Sequence, residues 1–170
     1  MRDGRISTVY EGTTGIQALD LIGRKVFATG GALLRNVTQL VNEFCEEQRD
    51  NAAMEEFIGP LSAASQCWGR LTEDISAKAT QNLDELGAAS VDFAFHSGYV
   101  VLGYLWARMA LVAQCGLAAA NTEDDDFYRA KLATARFYFQ RLLPRHLAHA
   151  TAARAGAAGL MELDADAFAP

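Results

Sequence analysis

The sequence predicts an all-α protein, an antiparallel bundle of about five helices, and three observations lead to this fold class. Strand-forming runs are nearly absent, since the only short β-branched stretch covers residues 6–10. The rest of the 170 residues is rich in Ala, Leu, Gln, Glu and Arg, which favour helices. Apolar residues recur at helical spacing through most of the chain. A chain of this length can bury a core without a disulfide or a structural metal.

The first predicted helix begins at a capping box, with Thr14 as the N-cap residue and Gln17 three positions later. We expect one face of this helix to be buried, because its apolar residues are spaced three or four positions apart. These residues are Ile16, Leu19, Ile22 and Val26. The pair Gly30–Gly31 is expected to end the segment.

Further helices are predicted after this pair of glycines. They cover Leu33–Glu47, Met54–Asn82, Leu86–Ala119 and a segment that opens at the acidic run Asn121–Asp126. Pro60 is expected to kink or restart the third helix, because proline lacks the N–H that an interior helical position donates. Pro144 is expected to restart or end the fifth helix, and a weaker Ala-rich segment follows over residues 145–157.

The run Gly98–Ala120 requires a membrane test, because Arg108 is its single charge and its length is sufficient to span a bilayer. A central arginine costs about 2.5–3.5 kcal/mol on insertion scales. Several glycines also dilute the run. We therefore expect a buried helix in the middle of a soluble bundle, and no membrane span.

Charge and cysteine content argue against several classes of protein. The 15 basic and 21 acidic residues give a net charge of −6, which disfavours a nucleic-acid-binding surface. The widely spaced Cys45, Cys67 and Cys115 show no CxxC pattern, so neither a zinc ribbon nor a disulfide framework is expected. The N-terminal residues contain no apolar signal region, and the sequence predicts a cytoplasmic protein.

The histidines do not predict a metal site. His146 and His149 can share a helix face, but no further ligand lies close to them in the sequence. His96 lies in an apolar stretch and is interpreted as a buried histidine that makes a hydrogen bond. Cys67 shows no accompanying histidine pattern of a thiol nucleophile.

Residues 5–17 read RISTVYEGTTGIQ. This string resembles the acyl-CoA dehydrogenase family, whose last core helices are joined by a loop reading Ile/Val-Tyr-Glu-Gly-Thr. The continuation ALDLIGRK resembles the longer bacterial members, which carry an extra helical region after the core. The resemblance implies an acyl-CoA dehydrogenase C-terminal-like fold. It also implies three parts, namely the end of the catalytic core (1–25), a helical extension (26–159) and a flexible tail (160–170).

The resemblance implies roles for four residues. Glu11 matches the general base, which removes the α-proton of an acyl-CoA thioester while the β-hydrogen leaves as hydride to FAD. The electrons then pass to an electron-transfer flavoprotein. Gly12 matches a substrate-binding position that the backbone approaches closely. Thr13 and Gly15 match positions near the FAD nucleotide, although position 15 is often glutamine in the family.

The same resemblance implies that most of the FAD and acyl sites lies in parts of the family fold that this chain does not contain. We therefore expect a fragment or a truncated gene product that is inactive as the isolated 170-residue chain. An alternative from another class is a non-catalytic helical module for oligomerisation or docking. The long apolar helix in a short chain favours this alternative, and a homo-oligomer is expected in either case. The acyl-chain specificity is not readable from this region.

Overall fold

The computed structural model describes residues 13–119 and 124–168. Within these ranges the backbone is helical, with short connecting turns and no β-strand, so the all-α prediction is confirmed. The α-helices are α1 (Thr14–Leu19), α2 (Ala32–Glu47), α3 (Glu55–Ala79), α4 (Asp84–Ala118), α5 (Asp125–Phe137), α6 (His146–Arg154) and α7 (Ala158–Met161). A 3₁₀ turn, Ala165–Phe168, follows α7. The division of the chain at residues 25 and 159 stays a prediction.

The first helix does not keep α-helical geometry. After α1 the chain continues as a π-helical segment, Asp20–Val26, and then as a 3₁₀ turn, Phe27–Thr29. A π-helical turn is wider than an α-helical one, because its hydrogen bonds join residues five apart. The side chains that reach the core are therefore spaced four apart, at Ala18, Ile22 and Val26.

Two sequence predictions for this helix are wrong. Ile16 is 73% exposed and Leu19 is 50% exposed, because the wide turn directs the buried face toward a different set of residues. Thr14 is the first residue of α1 and not its N-cap. The N-cap residue is Thr13, whose side chain makes no capping hydrogen bond.

The reversal between the first segment and α2 depends on two glycines. Gly30 and Gly31 have φ angles of 57° and 77°, in the left-handed region that favours glycine. Their N–H groups donate to the carbonyls of Phe27 and Val26 at 2.9 and 2.8 Å. These bonds satisfy the last carbonyls of the preceding turn, as glycines at helix ends commonly do.

The two prolines have different effects. Pro60 lies inside α3, which continues from Glu55 to Ala79, so the predicted restart does not occur. Packing supports the helix at this point, because Phe57 and Leu61 on either side of the proline are fully buried. Pro144 lies in a 3₁₀ turn, Leu143–Arg145, which precedes α6, and the predicted restart there is confirmed.

The core surrounds α4, which packs against α1, α3, α5 and α6. Phe93 and Val100 of α4 have no exposed surface. Close packing also requires small residues, since a Cβ on Gly116 would lie 2.5 Å from the Tyr128 ring of α5. The largest buried side chains are Phe57, Phe93, Ile22, Met54, Leu61, Leu71, His96, Val41 and Val100. The expected helix in the middle of the bundle is therefore present, although it is not buried on all sides.

Helix α4 is nevertheless only partly covered. Of the described helices, it is the one whose length and composition would allow it to cross a membrane. Only 28% of its most apolar window is buried inside the bundle. The sequence-based prediction of no membrane span stays a prediction. The exposed apolar side of α4 is the kind of surface that marks an interaction site.

Candidate functional site

The residues predicted from the resemblance are only partly described. Glu11 and Gly12 lie outside the described residues, so their roles stay predictions. Thr13 and Gly15 lie at the start of α1 and both are exposed. A Cβ on Gly15 would meet no atom of the described residues within 4 Å. The described residues here form no enclosure for FAD, and any such site requires other residues.

The best-defined group of reactive side chains lies elsewhere, inside the bundle. Cys67 of α3, His96 of α4 and His146, the first residue of α6, are all buried. One ligand atom from each of the three lies within 4.8 Å of the other two. We refer to these residues as the Cys-His-His cluster. Three different helices position it, so it exists only in the folded bundle.

Hydrogen bonding fixes one ring of the Cys-His-His cluster. Nδ1 of His96 lies 3.0 Å from the main-chain oxygen of His146. A carbonyl oxygen can only accept, so Nδ1 of His96 carries the proton and Nε2 carries a lone pair. The two imidazole rings meet edge to face, with centroids 5.0 Å apart. The interpretation of His96 as a buried, hydrogen-bonded histidine is confirmed.

The rings of the cluster are neutral at pH 7. Burial lowers the pKa of His96 to about 4, because an imidazolium loses its hydration in the apolar core. Burial also lowers the pKa of His146. Both histidines therefore offer lone pairs and not positive charges to whatever occupies the space between them.

His149 does not share the environment of His146. Its Nδ1 lies 2.8 Å from a carboxylate oxygen of Asp92, and its ring stacks on Phe95 with centroids 5.1 Å apart. The two histidines of α6 thus have different partners. The sequence suggested a shared helix face because the two histidines are three residues apart. Their actual partners come from a part of the chain that is distant in sequence.

The exposed side of α4 carries a regular apolar stripe. Its members are Val91, Phe95, Gly98, Leu102, Leu105, Met109 and Val112, and we refer to them as the α4 stripe. They recur with alternating spacings of four and three residues, which is the pattern of a helix–helix seam. Leu102 is 49% exposed and Val112 is 62% exposed. Phe95 packs on His149, but most members of the stripe stay exposed.

An open apolar cavity of about 520 Å³ extends from one end of the stripe. It lies between α4 and α5, and Arg108 and Lys131 contribute to its lining. Both cations lie against aromatic rings, with the Lys131 amine 5.2 Å from the centroid of Phe127. The cavity therefore combines an apolar surface with two positive charges.

Comparison with known proteins decides the family. Residues 37–164, which run from within α2 to just beyond α7, match the model of the family described as acetyl-CoA dehydrogenase C-terminal like. The chain belongs to this family. The predicted acyl-CoA dehydrogenase C-terminal-like fold is therefore confirmed for the matched residues.

Two curated relatives also match the sequence of this chain. The chain is 34% identical over 143 residues to 3-methylmercaptopropionyl-CoA dehydrogenase of Ruegeria pomeroyi, which covers 84% of this chain. It is 30% identical over 180 residues to the broad-specificity linear acyl-CoA dehydrogenase of Mycobacterium tuberculosis, which covers 99% of this chain. The chain spans only 24% and 29% of the length of these relatives.

The Cys-His-His cluster was not predicted from the sequence. Its members come from three helices, and no two of them are close in the chain. No short motif links them, so a sequence pattern could not have revealed the group. The available signal was weaker, namely that His96 lies in an apolar stretch of the sequence.

Proposed function

We propose that the chain is the C-terminal part of an FAD-dependent acyl-CoA dehydrogenase, which introduces the α,β-double bond of an acyl-CoA thioester. In this proposal Glu11 is the general base and Gly12 contacts the substrate, while Thr13 and Gly15 lie near the cofactor. One observation carries the proposal. The alignment with the Mycobacterium tuberculosis dehydrogenase covers 99% of the chain and so includes the segment with the Tyr-Glu-Gly-Thr string.

FAD, when it is bound by the rest of such an enzyme, accepts the hydride. An electron-transfer flavoprotein is the proposed electron acceptor. The contribution of this chain is narrower. A carboxylate at position 11 takes the α-proton, and a glycine at position 12 allows the main chain to approach the thioester. The proposed substrates are linear acyl-CoA thioesters, including the sulfur-containing 3-methylmercaptopropionyl-CoA named for one relative.

A chimaeric enzyme tests this function. The matching region of the Mycobacterium tuberculosis relative would be replaced by residues 1–170 of this chain, and the control would lack the region altogether. We expect the chimaera to retain FAD after desalting and to oxidise acyl-CoA thioesters, with an artificial dye as electron acceptor. The deleted control is expected to be inactive. A chimaera that folds and binds FAD without turnover, or a fully active control, would contradict the proposal.

The α4 stripe favours a second function that is compatible with the first, namely assembly into a homo-oligomer. The stripes of two chains can pack against each other as a helix–helix seam. The alternating spacings of four and three residues let the side chains of a second α4 fit between those of the first. The stripe contains no charged residue, and Arg108 and Lys131 lie beside its end, where they already contact aromatic rings. We infer that the second copy of the chain is the occupant of this stripe.

Sizing with light scattering tests the pairing. We expect the wild-type chain to have about twice its 18.4 kDa mass, and the double variant Leu102→Glu/Leu105→Glu to be monomeric. Each replaced leucine removes about 1.5–3 kcal/mol of apolar burial, or roughly a tenfold or greater loss of affinity. Leu147→Glu on α6 is the control, since Leu147 is 57% exposed and lies outside the stripe. A monomeric wild type, or a dimeric double variant, would contradict the pairing.

A further inference from the structure

Two polar atoms of the Cys-His-His cluster lack hydrogen-bond partners. They are Nε2 of His96 and Nδ1 of His146, and both are inaccessible to solvent. Buried polar atoms are paired in the great majority of cases, and an unpaired one costs about 1–3 kcal/mol. Both atoms lie beside the thiol of Cys67, so a single ligand placed between the three side chains would satisfy them.

We propose that the Cys-His-His cluster binds a zinc ion through Sγ of Cys67, Nε2 of His96 and a ring nitrogen of His146. A thiolate with two imidazoles is a donor set that Zn²⁺ prefers, with bond lengths of about 2.0–2.3 Å. The ligand atoms lie within 4.8 Å of one another, and a contraction of about 1 Å brings them to the separations of roughly 3.5 Å that these bond lengths give in a tetrahedron. A water molecule can complete the coordination. The thiol proton of Cys67 is released to solvent on binding, and no electron is transferred.

The surroundings of His96 match those of a metal ligand. Ligating histidines usually donate their second ring N–H to a carbonyl or a carboxylate, which fixes the tautomer and the ring orientation. His96 does this already, through the 3.0 Å contact of Nδ1 with the main-chain oxygen of His146. This hydrogen bond to His146 therefore fixes the position of Nε2 of His96, the proposed ligand atom, before a metal binds.

A positive side chain lies close to Cys67. The Arg154 guanidinium interacts with Cys67, and its Nε also donates to Oδ2 of Asp74 at 2.7 Å. The other cysteines have different environments, since Cys45 lies on α2 and contacts the carbonyl of Ile58, and Cys115 is exposed.

Cobalt substitution tests the site on the purified 170-residue chain after treatment with a chelator. Addition of one equivalent of Co²⁺ is expected to give a thiolate-to-cobalt charge-transfer band and the strong visible bands of a tetrahedral site. Zinc is expected to displace the cobalt at a stoichiometry of one. In Cys67→Ser, which keeps the size of the side chain, the charge-transfer band should disappear. Its affinity for zinc should fall by more than the about 10- to 100-fold loss typical of outer-shell changes.

Two control variants separate this site from others. Cys45→Ser removes a buried cysteine outside the cluster, and His149→Gln removes a histidine of the same helix as His146. Both should keep the full cobalt spectrum, with circular dichroism confirming that every variant is helical. A wild-type chain without the charge-transfer band overturns the proposal, whether or not the variants fold. An unchanged band in Cys67→Ser, or a lost band in Cys45→Ser, overturns it equally.

Discussion

Replacement of Phe57 by alanine is expected to lower the free energy of unfolding by about 3–5 kcal/mol. Phe57 lies on α3, has no exposed surface, and meets the ring of Phe139 edge to face at a centroid distance of 5.2 Å. The variant loses the transfer energy of a large side chain and leaves a cavity between α3 and the segment after α5. The removed aromatic pair adds about 0.5–1.5 kcal/mol to this loss.

Urea denaturation followed by circular dichroism measures the effect. Phe137→Ala is the matched control, because Phe137 ends α5, lies close to Phe139 in the chain and is 57% exposed. We expect the control to change the free energy of unfolding by about 0.5 kcal/mol or less. Equal losses of unfolding free energy in the two variants would contradict the prediction that the buried packing around Phe57 stabilises the bundle.

The sequence was sufficient to locate the helices but not every face that they bury. Apolar spacing and turn residues predicted α2 and α4 to within two residues at each end. The first helix was misjudged, because nothing in its sequence reveals that an α-helical turn widens into a π-helical one. The restart at Pro60 does not occur, because propensity acts locally, whereas the packing of distant residues keeps α3 continuous.

The two candidate sites also differ in how much of each the sequence reveals. The string around Glu11 is contiguous, so its resemblance to a family could be recognised from the sequence alone. The Cys-His-His cluster depends on how three helices meet, and the decisive facts are distances and unpaired atoms that a sequence does not contain. Contiguous motifs are therefore readable before a fold is known, whereas sites assembled across helices are not.

The substitution Glu11→Gln, made in the chimaeric dehydrogenase, is expected to lower kcat by about 100- to 10,000-fold, the usual contribution of a positioned general base. The glutamine amide has nearly the size of the carboxylate but cannot accept the α-proton of the thioester. This proton is weakly acidic, so its removal requires a base whose pKa lies near the working pH. The retention of FAD and the overall fold should not change, because the base is proposed to act on the substrate.

Two readouts distinguish a lost base from a damaged site. Exchange of the substrate α-proton in D₂O should fall together with kcat, while FAD absorbance after desalting should match that of the unmodified chimaera. Glu47→Gln is the control, since Glu47 is an exposed residue at the end of α2 and should leave both rates unchanged. Turnover of Glu11→Gln within about threefold of the parent would exclude Glu11 as the base. Such a result would leave the family assignment intact, because that assignment depends on residues 37–164.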